Sequence, residues 1–312
     1  NVVDGAGGGL LGNPNLQIVE SAPEAGDGFG AAVEIGDLSG GGNPADFDDL
    51  AVGAPGENVG AAADAGAVTV IEASGAGTGL PAGAAQQRFF QGAAQVPGVS
   101  EAGDRFGAAL AAGNLGSGGI DLTVGAPGED VGAAVDAGAV VLLIGPGFHQ
   151  LLTQGSPTEL GSVPGAPESG DRFGTDLDSG DFDANDADNL AVGTPGEDLA
   201  GVADAGAVIS LCGFDGQVLG CAVGVLRQAN PETGDKAGSS LTAGNFDGDE
   251  FVDLAVGAPG ETVGGAAAAG AVDVRSGSDG GLPAAPAPLF FQGGGVPGTA
   301  EAGDLFAASL AS

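Results

Sequence analysis

Positive charge is nearly absent from this sequence: its 312 residues carry 6 Lys and Arg against 42 Asp and Glu, a formal charge of -36. Phosphate backbones and anionic lipid are recognised through cationic side chains, so nucleic acid is excluded as a partner. Trp, Tyr and Met are missing, and His149 is the sole histidine. Carboxylate pairs abound, but a sugar-cleaving cleft without aromatic platforms is not expected, and the histidine stands far from any motif acid. No run is long and apolar enough to span a membrane, so direct insertion is not expected either. Gly40-Gly41-Gly42 has no following Lys-Ser or Lys-Thr, which leaves no phosphate cradle. The start of the chain fits a mature exported protein and a cytosolic one equally.

Cysteine is almost absent as well. Cys212 and Cys221 flank a turn between two strand candidates. Opposed across two strands they reach disulfide geometry, which points to an oxidising compartment; two separate buried thiols are the alternative. They lack the companions of a zinc site.

Glycine is abundant, at 65 residues, yet no Gly-x-y period runs through it, so it punctuates turns rather than building a collagen helix. The order beneath it is a phrase that returns five times, Glu-x-Gly-Asp, ending at Asp27, Asp104, Asp171, Asp235 and Asp304. Four copies are followed by Val-Gly-(Ala/Thr)-Pro-Gly-Glu, ending at Glu57, Glu129, Glu197 and Glu261. A unit of this size cannot bury its own apolar face, so neighbouring units must stack. The phrases divide the chain into units at 22–96, 97–165, 166–229 and 230–295, with a terminal partial unit at 296–312 joined by 1–21.

Each unit reads as four short strands joined by Gly and Pro turns, in the first at Phe29 to Ile35, Leu50 to Ala54, Gly66 to Ile71 and Gln86 to Gln91. This pattern predicts an all-β propeller of four-stranded antiparallel blades, four complete and a composite or partial fifth. The terminal strand candidates, Leu16 to Val19 and Leu305 to Ala311, would share that fifth blade. Phe29, Phe106, Phe173 and Phe306 each follow a motif Asp by two residues and read as anchors between blades. Lys236-Ala237 replaces that pattern in the fourth unit, which predicts a looser contact. The motif Asp itself reads as a cap for backbone N–H groups, with its glycine at positive φ. The alternative is that it completes a cation site or faces a partner.

The chemistry concentrates between the first two strands of a unit. In the fourth unit Asn245, Asp247, Asp249, Phe251 (by its carbonyl) and Asp253 place oxygens at alternate positions, as a hard cation requires. The third unit offers Asp181, Asp183, Asn185, Ala187 (by its carbonyl) and Asn189, with Asp188 able to turn inward. The first unit's longer loop offers Asp37, Ser39, Asp46 and Asp49, with Asp48 beside them. The second keeps only Asn114 and Asp121 and is the weakest.

Gly-Asp-Arg-Phe-Gly at 103–107 and 170–174, Val-Gly-Ala-Pro-Gly-Glu at 52–57, 124–129 and 256–261, and the loop at 245–253 together resemble the FG-GAP repeat family, known from the propeller of integrin alpha subunits and from secreted prokaryotic proteins. The resemblance implies a β-propeller with Ca2+ in the loops joining the first two strands, carried by Asn245, Asp247, Asp249, Phe251 and Asp253 and by Asp181, Asp183, Asn185, Ala187 and Asn189. The family usually builds seven blades, and this chain departs from that count. The expected function is a non-catalytic, calcium-stabilised module, secreted or at the cell surface, that binds a protein or glycan ligand. A self-assembling subunit that packs with copies of itself, and a propeller part of a secreted enzyme, are the alternatives. The diffuse acidity fits both cation binding and a high-salt habitat.

Overall fold

The computed structural model describes residues 18–20, 23–38, 48–73, 86–93, 95–116, 119–144, 148–158, 161–214 and 217–311. Four sheets follow one another along the chain. The first contains β1 (Val33–Gly36), β2 (Asp49–Ala54), β3 (Ala67–Ile71) and β4 (Gln86–Phe89), and the second β5 (Leu110–Gly113), β6 (Asp121–Ala126), β7 (Ala139–Ile144) and β8 (Phe148–Leu152). A two-stranded ribbon, β9 (Pro157–Thr158) and β10 (Gly161–Ser162), precedes the third sheet of β11 (Leu177–Gly180), β12 (Asn189–Thr194), β13 (Ala207–Phe214) and β14 (Gln217–Leu226). The fourth adds β15 (Ser240–Gly244), β16 (Asp253–Ala258), β17 (Ala271–Arg275), β18 (Leu289–Gln292) and a short parallel β19 (Gly295–Val296). Within each sheet, strands one to four pair in sequence order and antiparallel, which makes each a propeller blade. No helix among the described residues is long and apolar enough to cross a membrane.

The second strand of every blade is buried throughout, and the apolar cores lie between neighbouring sheets. Phe106 and Phe173 are fully buried anchors at the first two junctions. Phe29 and Phe306 are half-buried, each packing on the core of a terminal blade. Ala237, at the anchor position of the third junction, keeps the backbone contact without the ring: its N–H donates to Ala205 O at 3.1 Å, as Phe106 and Phe173 do to Ala65 and Ala137 at 2.9 Å.

Glycine in the Val-Gly-Ala strand is dictated by these junctions. A Cβ on Gly53 would lie 2.1 Å from the carbonyl oxygen of Gly107 in the next blade, and the same clash recurs at 2.2 Å between Gly125 and Gly174. Any side chain there would push the blades apart.

The expected strands hold with small changes. Phe29 lies in the turn before β1, and β14 begins earlier than its apolar run suggests because it pairs along the extended β13. Cys212 and Cys221 are direct cross-strand partners in that pairing, and Cys212 is disulfide-bonded. The terminal unit is only partial among the described residues. Leu305 to Ala311 turns instead of forming a strand, as do Ile18 and Val19 fail to form one; Leu16 lies outside the described residues. The last motif docks on blade four through N–H donors of Gly303, Leu305 and Phe306 to the carbonyls of Ala267, Ala268 and Ala269. His149 is half-buried, its ring edge-on to Phe89 of the preceding blade at 6.3 Å.

Candidate metal centre

The loop between β15 and β16 is folded by its own acids. Asn245 Oδ1 accepts the Gly248 N–H (2.6 Å), Asp247 Oδ1 accepts that of Asp249 (3.1 Å), and Asp249 Oδ1 accepts that of Phe251 (2.8 Å). Each is a local turn that leaves a second oxygen or lone pair free. Asn245 Nδ2 donates to the Asp249 carbonyl and closes the ring of the loop. Asp253, the first residue of β16, is fully buried and pinned from both sides: Oδ2 accepts Phe246 N–H at 2.7 Å and Oδ1 accepts Gly277 N–H at 3.0 Å. The outcome is three carboxylates, two exposed and one buried, with ligand oxygens within 4.8 Å of one another. An all-oxygen set on a turned loop fits a hard cation of the Ca2+ class, and such a loop pays in repulsion when nothing sits between its charges.

The third loop shares the turns but not the charge. Asp181 accepts the N–H groups of Asn185 and Asp186, and Asn185 Oδ1 accepts that of Ala187. At the closing position Asn189 spends Oδ1 on the Phe182 N–H at 3.0 Å, which turns its amide toward Asp183. The carboxyl of Asp183 is raised above its ordinary range by burial first and then by Asp181. Asp188 does not turn inward. Its Oδ2 accepts the N–H of Asn114 at 2.7 Å, tying the third loop to the second. Asn114 is therefore committed to an inter-blade contact, while Asp121 is buried at the head of β6. In the first loop Asp37 and Asp49 stand at the two ends, and Asp49 Oδ1 accepts Ala73 N–H at 2.8 Å; Ser39 and Asp46 lie outside the described residues.

Glu-x-Gly-Asp proves to be a cap in all five copies. The motif Asp accepts the N–H of its own motif Glu at 2.5–2.8 Å in the last four, and Asp27 accepts that of Glu24. The intervening glycine has φ between 83° and 110°. The first four caps bury their acids beside the Glu of the Pro-Gly-Glu turn, whereas Asp304 is exposed. Asp104 and Asp171 are each pushed up to about 7, by burial first and with Glu129 or Glu197 adding repulsion. Glu261 is likewise pushed to about 7 by burial and by Asp235.

Sequence reasoning missed a second acidic group. Glu20, Asp27 and Glu57 bring ligand oxygens within 4.8 Å of one another in blade one, and Glu20 is raised to about 7 by burial and by Glu57. It also missed Arg275. That side chain is fully buried, paired with Asp273, and donates to the carbonyls of Pro283, Ala285 and Arg227.

Fold and site together define a β-propeller whose fourth blade carries, between its first two strands, an acidic loop that could hold a cation. Residues 237–274, which run from the blade-three junction through the turned loop to β17, match the FG-GAP repeat, so an FG-GAP repeat is present there. No curated protein matches the chain.

Proposed function

We propose that this chain is a non-catalytic propeller module whose blades are stabilised by Ca2+ and whose exposed face binds a protein or glycan partner, secreted or at a cell surface in a salt-rich medium. The observation that carries the reading is the fourth loop, where Asp247, Asp249 and Asp253 converge with their backbone turns already made. Ion binding that needs the folded loop stabilises the blade by mass action, about 2.7 kcal/mol at a hundredfold excess over Kd. A partner site is supported by an open cavity of about 620 Å³ at the motif face of the first three blades, lined by Asp64, Arg105, Asp136 and Arg172 among others. Charged groups of both signs on a concave surface suit a polar ligand. Calorimetric titration with Ca2+ tests the metal half: the native chain gives a binding isotherm that weakens at least tenfold in Asp247→Asn, and no difference between the two contradicts it.

A second reading, self-association, is favoured by one feature of blade one. Val33 is 54% exposed, whereas its counterparts in register, Leu110, Leu177 and Leu241, are covered by the preceding blade. Light scattering in Ca2+ separates the readings: a monomer supports the binding module, and calcium-dependent polymers support the structural subunit.

A further inference from the structure

Blades two and three share a contact that blade one does not. In each, a glutamine at the end of the previous blade's fourth strand approaches the glutamate of the Pro-Gly-Glu turn. Gln91 Nε2 donates to Glu129 Oε2 at 2.6 Å and Gln154 Nε2 donates to Glu197 Oε2 at 2.5 Å; Gln228, their counterpart before blade four, has no hydrogen-bond partner on its amide. In both blades, the amide hydrogen satisfies one oxygen of a half-buried glutamate. In blade one the group that faces Asp27 and Glu57 is a third carboxylate, Glu20, which has no hydrogen to give when ionised.

The consequence is visible atom by atom. Asp27 and Glu57 are only 3% and 5% exposed. Asp27 Oδ1, Glu57 Oε2 and Glu20 Oε2 are sealed from solvent with no hydrogen-bond donor in reach. Asp27 Oδ2 accepts the Glu24 N–H and Glu57 Oε1 pairs with the Arg88 guanidinium. Three carboxylates and one guanidinium leave a net charge of two negatives around the three unpartnered oxygens. Buried polar atoms without partners mark a missing group, and buried charge must be neutralised.

We infer that Glu20, Asp27 and Glu57 form a second divalent-cation site, of the hard, oxygen-liganded class, in which the ion replaces the glutamine amide of blades two and three. It is separate from the loop at 245–253 and does not depend on it. The site ties the segment before blade one to both motif acids of that blade. Its occupant fixes Ile18, two residues from Glu20, on the core formed by Leu50, Val52 and Ile71.

The test uses the full chain carrying Asp249→Ala, which removes the fourth-loop site, so that failure of one site is not mistaken for failure of the other. Equilibrium dialysis with calcium at pH 7.5 is expected to find an ion retained in this background, and the further change Glu20→Gln is expected to weaken it at least tenfold. In chelator, Glu20→Gln is expected to melt higher than its parent, because the amide restores the contact seen in blades two and three. Glu20→Lys, which supplies a fixed positive charge, is expected to melt higher in chelator and to lose its calcium response. Unchanged calcium affinity in both variants overturns the assignment. So does a protonated-carboxyl infrared band, lost in Glu20→Gln, that persists in the parent at saturating calcium, since the oxygens would then be sharing a proton.

Discussion

Asn189 and Asp253 occupy the same place at the head of a second strand, yet they equip their loops differently. Asp253 holds two backbone N–H groups on two carboxylate oxygens, whereas Asn189 spends its only oxygen on Phe182 and turns an amide toward Asp183. Asn189→Asp is therefore expected to raise the calcium affinity of the third loop about tenfold, measured by calorimetry in the Asp249→Ala background; no gain would show that this position is not a ligand. The alternation of oxygen residues was legible in the sequence because ligand spacing is a local property. Side-chain direction was not, as Asp188 shows: its partner, Asn114, belongs to another blade. Backbone strain was hidden in the same way. The residue after each motif Asp is left-handed, with φ of 58° at Arg105, 57° at Arg172 and 56° at Lys236, while blade one uses Gly28. A left-handed side chain costs about 1–2 kcal/mol, so Arg105→Gly should stabilise by up to about 1 kcal/mol in chemical denaturation after the added freedom of the unfolded glycine is offset. Destabilisation would mean that the guanidinium makes a contact worth more than the strain.

At the level of the blade, two features decide stability. The caps at Asp104 and Asp171 stand at about 7 in the fold, against about 4 in an unfolded chain. The folded state therefore binds more protons between those values: this contribution is complete below about pH 4 and is lost as pH rises through 7. In chelator, the native chain should melt lower at pH 8 than at pH 5, and Asp104→Asn with Asp171→Asn should flatten that slope while the amide oxygens still accept the motif N–H. An unchanged slope would assign the pH dependence to the diffuse surface charge. The second feature is the Arg275–Asp273 pair, which joins β17 to the 283–285 segment and to Arg227. Removing one partner of a buried pair typically costs about 3–5 kcal/mol, so Asp273→Ala should lower the unfolding free energy measured in urea by that amount, and a loss under 1 kcal/mol would contradict the staple. Strands and caps were legible because they repeat with every motif. Arg275 was not, because it occurs in one blade and its acceptors are carbonyls of irregular segments.

For the whole molecule, repetition made the architecture readable and charge sets its demands. A chain of small Ala, Gly and Val strands buries little apolar area per residue, while 42 acids against 6 bases repel one another at low ionic strength. Cations held where the acids are gathered would answer both problems on the function proposed above. The terminal unit was the least readable part, since one motif copy announces a blade but the described residues beyond it supply a docking turn and no strand. The central claim is that the turned loop at 245–253 stabilises the propeller by holding calcium. Thermal melting of the native chain and of Asp249→Ala, each in millimolar calcium and in chelator, tests it most directly. The account predicts that the substitution lowers the melting temperature in calcium and leaves it nearly unchanged in chelator. Equal losses in both conditions, or no calcium response in the native chain, would contradict it.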